Sequence, residues 1–321
     1  MLSTDDPEVS SQQALVRREP HPVAEDMDYV LRRHLPDEIC GIPTSILGYG
    51  PDSGALRRRK SGGVNHFITF QTVRGFLRAY LEWSGDSDPT VLEWLTFPEH
   101  RLAALRHSRV FHDGLGTLEA ARERLVCYPD AVWRYLLAAQ WARIGTEESY
   151  LGRAGAAGDE LGSRFVAARL AHYLMRLGFL MERVFPPFTK WFARAFAELS
   201  CAAQLTPPLL RLQAAADLPS REAALCDCYR IAVSLHNRLG ITEAVSPETV
   251  AFQRLRPYRV IHGELLSRAI SQTITDPELR GLRGTDGFGL IGSIDQFVDG
   301  AIAVLDKGQR FARLRSLYEW E

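Results

Sequence analysis

"GDELGSRFVAARLAHYLMRLGFLMER", residues 158–183, decides how the rest of the chain is read. Its Gly162-Ser163 pair is of the kind that turns a backbone so that N–H groups can hold a triphosphate. Such a turn serves phosphoryl transfer when an Asp-x-Asp strand follows about ten residues later. Period-two alternation then puts both carboxylates on one face, where they bridge two Mg²⁺ ions about 4 Å apart. After Ser163 the next acid is Glu182, and no Asp-x-Asp occurs. The residues between are largely apolar on all sides at helical spacing, which predicts a buried helix rather than a strand. Asp159 is its expected N-cap, and the small Gly162 and Ser163 allow close packing in its first turn.

Helical texture extends outward from this stretch in both directions. TVLE (Thr90–Glu93) is a capping-box pattern ahead of further helices. TLEAARERLVCY and DAVWRYLLAAQWARI are split by Pro129, with Asp130 as the expected N-cap of the second. A helix over 187–199, then REAALCDCYRIAVSLHNRL (Arg221–Leu239), HGELLSRAISQTI and IDQFVDGAIAVL, continue the bundle. The first third is mixed. EVSSQQALV (Glu8–Val16) and VNHFITFQTV (Val64–Val73) alternate like strands, and VAEDMDYVLRRHL (Val23–Leu35) between them has helical spacing. The Gly/Pro-rich stretch 48–63 reads as a loop whose RRRK run is a solvated cluster. The expected class is α+β, mostly α: a small α/β head over 1–115 and a larger helical bundle over 116–321.

Bulk composition narrows the partners. A hydrophobic content of 46% with 24% charged residues is that of a soluble globular protein, and a net charge of −1 gives no strong nucleic-acid signal. No apolar run reaches the roughly 20 residues of a membrane span, and MLSTDDPEVSS lacks the regions of a signal peptide, so the expected location is cytoplasmic. The five cysteines (Cys40, Cys127, Cys201, Cys226 and Cys228) lack the spacing of a metal site and read as small thiols. Only Lys60, Lys190 and Lys307 among the 38 basic residues are lysine, so each lysine is informative. One polar stripe crosses the apolar helix: Arg169, His172, Arg176 and Arg183 share a face. They form either a solvent face or a cationic wall that binds a ligand.

The stretch from Trp133 to Phe192, WRYLLAAQW through PPFTKWF, together with RPYRVIH (Arg256–His262) and GSIDQFVD (Gly292–Asp299), closely resembles the helical half of an uncharacterised bacterial family. The resemblance runs from about Thr72 to the C-terminus. Members of that family usually carry a polymerase-beta type nucleotidyltransferase head before the bundle. That head should supply a Gly-Ser turn, a Ser-Thr-Asp-x-Asp strand and a third acid on a strand before Thr-Val-Arg. Here Ser3-Thr4-Asp5-Asp6-Pro7 resembles the Asp-x-Asp segment without its spacer, and adjacent strand residues face opposite ways. Asp5 and Asp6 are therefore at most a residual metal site. Thr69 stands where the third acid is expected, and the chain starts too late for the turn. A Mg²⁺ cofactor follows only if that acidic remnant still functions.

By the same resemblance, Lys190 is the candidate for a triphosphate contact; Arg169, His172 and Arg176, from the shared helix face, are further candidate ligand-binding residues. Glu147 and Asp159 are the candidate acids, beside Glu148 at a Gly-rich loop, and His236 is a candidate acid or base. His236, His262, Arg256 and Tyr258 stand among apolar helices, where a lone histidine is more often a hydrogen-bonded core residue. Trp133, Trp141 and Trp191 read as bundle packing or as an aromatic wall for a base or sugar. The leading reading is a degenerate nucleotidyltransferase-like protein that binds a nucleotide or phosphorylated metabolite between head and bundle, with little two-metal transfer. Two alternatives stand beside it. One is an active transferase whose start lies upstream. The other is a tailoring enzyme of small-molecule biosynthesis that reuses the bundle pocket.

Overall fold

The computed structural model describes residues 22–44, 66, 68–282, 290–298 and 318. It is mostly helical with two short antiparallel hairpins, in the α+β class. Two compact units divide the chain, Met1–Gly85 and Asp86–Glu321. The sequence pattern places the boundary at 115, and residues 86–115 belong to the second of these units. Asp5, Asp6, the segment 8–16 and the RRRK cluster lie outside the described residues.

In the first unit, α1 (Pro22–His34) forms where helical spacing predicts it, with Asp28 and Arg32 paired one turn apart at 2.6 Å. The two-residue strands β1 (Glu38–Ile39) and β2 (Ile42–Pro43) meet through Cys40 and Gly41, both at positive φ (51° and 78°). A two-residue hairpin turn demands that conformation so that its twist matches the strands. Helix α2 (Val73–Leu81) starts at Thr72, whose hydroxyl accepts from the Gly75 N–H at 3.0 Å. This corrects the described part of the strand expected over 64–73: residues 68–72 pair with no strand among the described residues, and Val73 begins a helix, because period-two alternation loses to a good N-cap followed by an amphipathic turn.

The second unit opens with α3 (Val91–Thr96), α4 (Glu99–His107) and α5 (Thr117–Glu123). Thr90 and Glu93 form the complete capping box that their spacing predicts. Helix α6 (Asp130–Glu147) is enclosed: residues 135–141 are buried without a break, which a helix tolerates only with neighbours on every side. Pro129, not Asp130, occupies its N-cap position. The Asp130 carboxylate is drawn instead to Arg134 and Arg183, at 2.6 Å each.

Helices α7 (Tyr150–Ala156) and α8 (Glu160–Met181) follow, the latter capped by Asp159 as expected. Pro186 and Pro187 interrupt the helical run, so the segment expected over 187–199 is a 3₁₀ turn (Thr189–Trp191) and a short α9 (Phe192–Phe196). Then come α10 (Ala202–Ala214) and α11 (Leu218–Arg238), the hairpin of β3 (Val250–Gln253) and β4 (Arg256–Val260), α12 (Gly263–Gln272), α13 (Pro277–Gly281) and α14 (Ile294–Phe297). Among the described residues no helix is long and apolar enough to cross a membrane.

Helix α6 and the start of α12 approach each other closely. A Cβ on Gly145 would lie 2.5 Å from the Glu264 nitrogen, and one on Gly263 would lie 2.7 Å from the Gly145 nitrogen and the Trp141 oxygen. Backbone meets backbone there, so only glycine fits at either position. That contact brings Glu148, just past the end of α6, to the entrance of α12.

Candidate functional site

Two places in the helical unit are candidates for binding. One is an exposed cationic surface at the 3₁₀ turn. The other is a buried cluster where α6, α11 and α12 meet.

At the first, Trp191 is 49% exposed, unlike Trp133 and Trp141, which are buried. The Lys190 Nζ lies 5.5 Å from the Trp191 ring centroid and the Arg194 guanidinium carbon 5.8 Å. Both distances are within cation–π range. Among the described residues neither cation pairs with a carboxylate. The local chain explains the arrangement: Pro186-Pro187 stops α8 from continuing, and the tight turn that follows carries Lys190 and Trp191 on its outside, while Phe192 and Phe196 turn inward.

The polar stripe of α8 is treated differently. Arg176 is buried and meets Glu99 at 2.6 Å, and Tyr128 donates to the same carboxylate at 3.2 Å. The Asp295 carboxylate accepts from the Glu99 backbone at 2.9 Å. Burial raises both carboxyls above the usual range, opposed by Arg176. Burial alone would make the Arg176 guanidinium less basic, but its two anions more than offset this. Arg169 pairs with Glu147, which also accepts from Tyr173 at 3.1 Å. Arg183, past the helix end at φ 56°, binds Asp130 and lies 3.7 Å over the Trp133 ring. His172 packs on Phe192 at 4.9 Å. The three arginines of the stripe therefore each meet an acid of the same unit.

The candidate acids and base are each engaged locally. Asp159 accepts from the Gly162 N–H at 2.7 Å as the cap of α8. Glu147, held by Arg169 and Tyr173, borders an open cleft of about 200 Å³ lined by Ala142, Arg143, Thr146 and Leu290. His236 is buried, with its Nε2 3.1 Å from the Thr242 hydroxyl and its ring edge-on to Trp141. Burial pushes its pKa down to about 4, so the ring is neutral at pH 7.

The second place centres on Glu148, a neighbour of the candidate acid Glu147. One of its oxygens accepts from the backbone N–H of Ile261 at 2.8 Å and of His262 at 3.1 Å, so it holds the chain just ahead of α12. Burial raises its pKa to about 8; the bonds from Ile261, Gly263 and His262 oppose that shift and the Glu264 charge adds to it. The His262 Nδ1 lies 3.0 Å from Glu264, and one ligand-capable atom from each of Glu148, His262 and Glu264 lies within 4.8 Å of the others. His262 holds a left-handed backbone at φ 56°, rare for a residue with a Cβ. Two further polar groups on α11 are buried without full satisfaction: the Tyr229 hydroxyl and the His236 Nδ1 have no hydrogen-bond partner.

Sequence spacing drew attention to Glu148 and His262 separately and passed over Glu264. The signal was the triplet His262-Gly263-Glu264: a glycine that admits a second backbone, flanked by two metal-capable side chains.

Residues 94–192 match the family model described as a domain of unknown function (DUF4037), which supports the resemblance to an uncharacterised family over that stretch. The matched segment runs from Trp94 to Phe192. It holds Glu99, Glu148, Arg176 and Lys190 and stops short of His262 and Glu264. No curated protein and no solved structure matches the chain.

Proposed function

We propose that this protein binds a nucleotide or phosphorylated metabolite through the Lys190–Trp191–Arg194 surface of its helical unit, without two-metal transfer chemistry. The observation that carries the reading is a half-exposed indole flanked by two cations that no carboxylate among the described residues neutralises. A base or other flat group stacks on such a ring for about 1–3 kcal/mol, and cations beside it meet phosphate oxygens. The resemblance to a family with nucleotidyltransferase heads supplies the ligand class. The arginine stripe adds nothing to this site, because its guanidiniums already hold Glu147, Glu99 and Asp130.

Thermal denaturation of the full chain against nucleoside triphosphates, inorganic triphosphate and sugar phosphates, all in EDTA, tests this. A ligand at a hundred times its Kd adds about 2.7 kcal/mol of stability, a shift well above error. The expected result is a metal-independent shift that Lys190→Met and Trp191→Ala each abolish while the unliganded midpoint stays the same. A panel that leaves the midpoint unmoved, or a shift that both variants retain, overturns the proposal.

A further inference from the structure

We infer that Glu148, His262 and Glu264 form a binding site for one divalent transition-metal ion, of the zinc or manganese class. The site is independent of the nucleotide surface. It lies where α6 ends against the entrance of α12, and its three ligand-capable atoms come from two chain segments more than a hundred residues apart.

The donor set fits the cation class. Two carboxylates and one imidazole are borderline ligands that favour zinc, iron or manganese over magnesium or calcium, which prefer oxygen alone. Metal–ligand bonds of about 2.0–2.2 Å put neighbouring ligand atoms of a tetrahedral site roughly 3.3 Å apart. His262 Nδ1 and Glu264 already stand at 3.0 Å, and the whole set spans at most 4.8 Å. The second Glu148 oxygen is not the one held by the Ile261 and His262 N–H groups, so the carboxylate can keep those bonds and still serve as a ligand. Three protein ligands leave one position for water or a substrate oxygen, the pattern of catalytic rather than structural zinc.

Space and access also fit. At Gly145 an added Cβ would come within 2.9 Å of a Glu264 oxygen, so the missing side chain makes the room that carboxylate occupies. The His262 and Glu264 side chains are 32% and 27% exposed, which opens a path from solvent, while Glu148 closes the inner side.

An independent observation points the same way. The Tyr229 hydroxyl is wholly buried, has no hydrogen-bond partner among the described residues, and feels the Glu148 charge. An unpaired buried hydroxyl is costly, so a partner that binding brings within its reach is favoured. A metal-bound water or substrate oxygen is such a partner.

The test is calorimetric titration of the metal-stripped full chain with Zn²⁺, then Mn²⁺ and Mg²⁺. One equivalent of Zn²⁺ is expected, bound at least tenfold tighter than Mg²⁺. Glu264→Gln, which keeps the shape of the side chain, should weaken Zn²⁺ at least tenfold. His262→Asn, which tolerates the left-handed backbone, should do the same. Far-UV circular dichroism and the metal-free midpoint establish that both variants fold, and Glu264→Gln stands alone if His262→Asn does not. Absence of a stoichiometric Zn²⁺ site overturns the inference. So does one equivalent bound with equal affinity by the parent and Glu264→Gln, which would put the metal on other histidines.

Discussion

Arg176 and Lys190 lie fourteen positions apart in one helical unit, and the fold uses their charges in opposite ways. Arg176 is in the core, 2.6 Å from Glu99, with Tyr128 and Asp295 in the same buried network. Lys190 is on the surface with an indole face beside it. A desolvated guanidinium has little left to offer a ligand, because removing its carboxylate partner would strand a charge in the core. A solvated ammonium next to an aromatic ring remains open to a phosphate at small cost. Charge available for binding is thus set by what the fold places against each cation, not by how many cations share a helix face.

The sharpest way to break this comparison is to remove each cation in turn. Arg176→Met should cost about 3–5 kcal/mol in urea denaturation, since it leaves Glu99 and Asp295 buried without their counter-charge. Lys190→Met should stay within about 0.5 kcal/mol of the parent and act on ligand binding alone. Equal costs would mean that Lys190 is structural too.

Burial acts on protons as well as on charges, as His236 illustrates. His236 is enclosed and neutral, its pKa held down to about 4 by burial, whereas His262 is partly exposed beside Glu264. A folded-state pKa below the unfolded value of about 6.5 means stability is full above pH 6.5 and declines as pH falls toward 4. The gap is worth about 3 kcal/mol at the acid end. His236→Phe should remove that part of the acid limb in denaturation curves taken between pH 7 and 4. An unchanged limb would show that His236 gains a proton without leaving the core.

The buried network predicts a slope of the opposite sense. Glu99 and Asp295 share a single guanidinium, and burial raises both, so folding takes up a proton above the usual carboxylate range. Stability then falls as pH rises through the raised pKa, by about 1.4 kcal/mol per pH unit for one proton. Asp295→Asn keeps an acceptor for the Glu99 N–H and should flatten that slope, which unfolding midpoints at closely spaced pH values would reveal.

The sequence made the helices legible because their apolar residues recur at helical spacing and their caps are local. The capping box at Thr90 and the cap at Asp159 depend on residues three apart and form as expected. Asp130 failed as a cap because Arg134 and Arg183 compete for its carboxylate, and Arg183 is distant in sequence. The strand expected at 64–73 failed for a similar reason: alternation names a face but not a partner strand. The Glu148–His262–Glu264 cluster was half legible. Its residue types stood out singly, but their meeting depends on Gly145 lying against Gly263, a contact between segments more than a hundred residues apart. Trp191 could not be told from Trp133 and Trp141 without the turn that leaves it outside.

The smallest effect tests the exposed end of the stripe. Arg169 holds Glu147 with Tyr173 as a third member, and its side chain is 44% exposed, so water competes for every bond in the group. Exposed pairs of this kind contribute about 0.2–1 kcal/mol, because the Coulomb gain is screened and two long side chains lose freedom. A double-mutant cycle with Arg169→Met and Glu147→Gln should return a coupling in that range, shrinking with added salt. A coupling of several kcal/mol would instead join this pair to the buried class of Arg176 and Glu99. In that case the division between structural and available cations would no longer follow exposure, and the case for Lys190 would have to rest on its carboxylate-free surroundings alone.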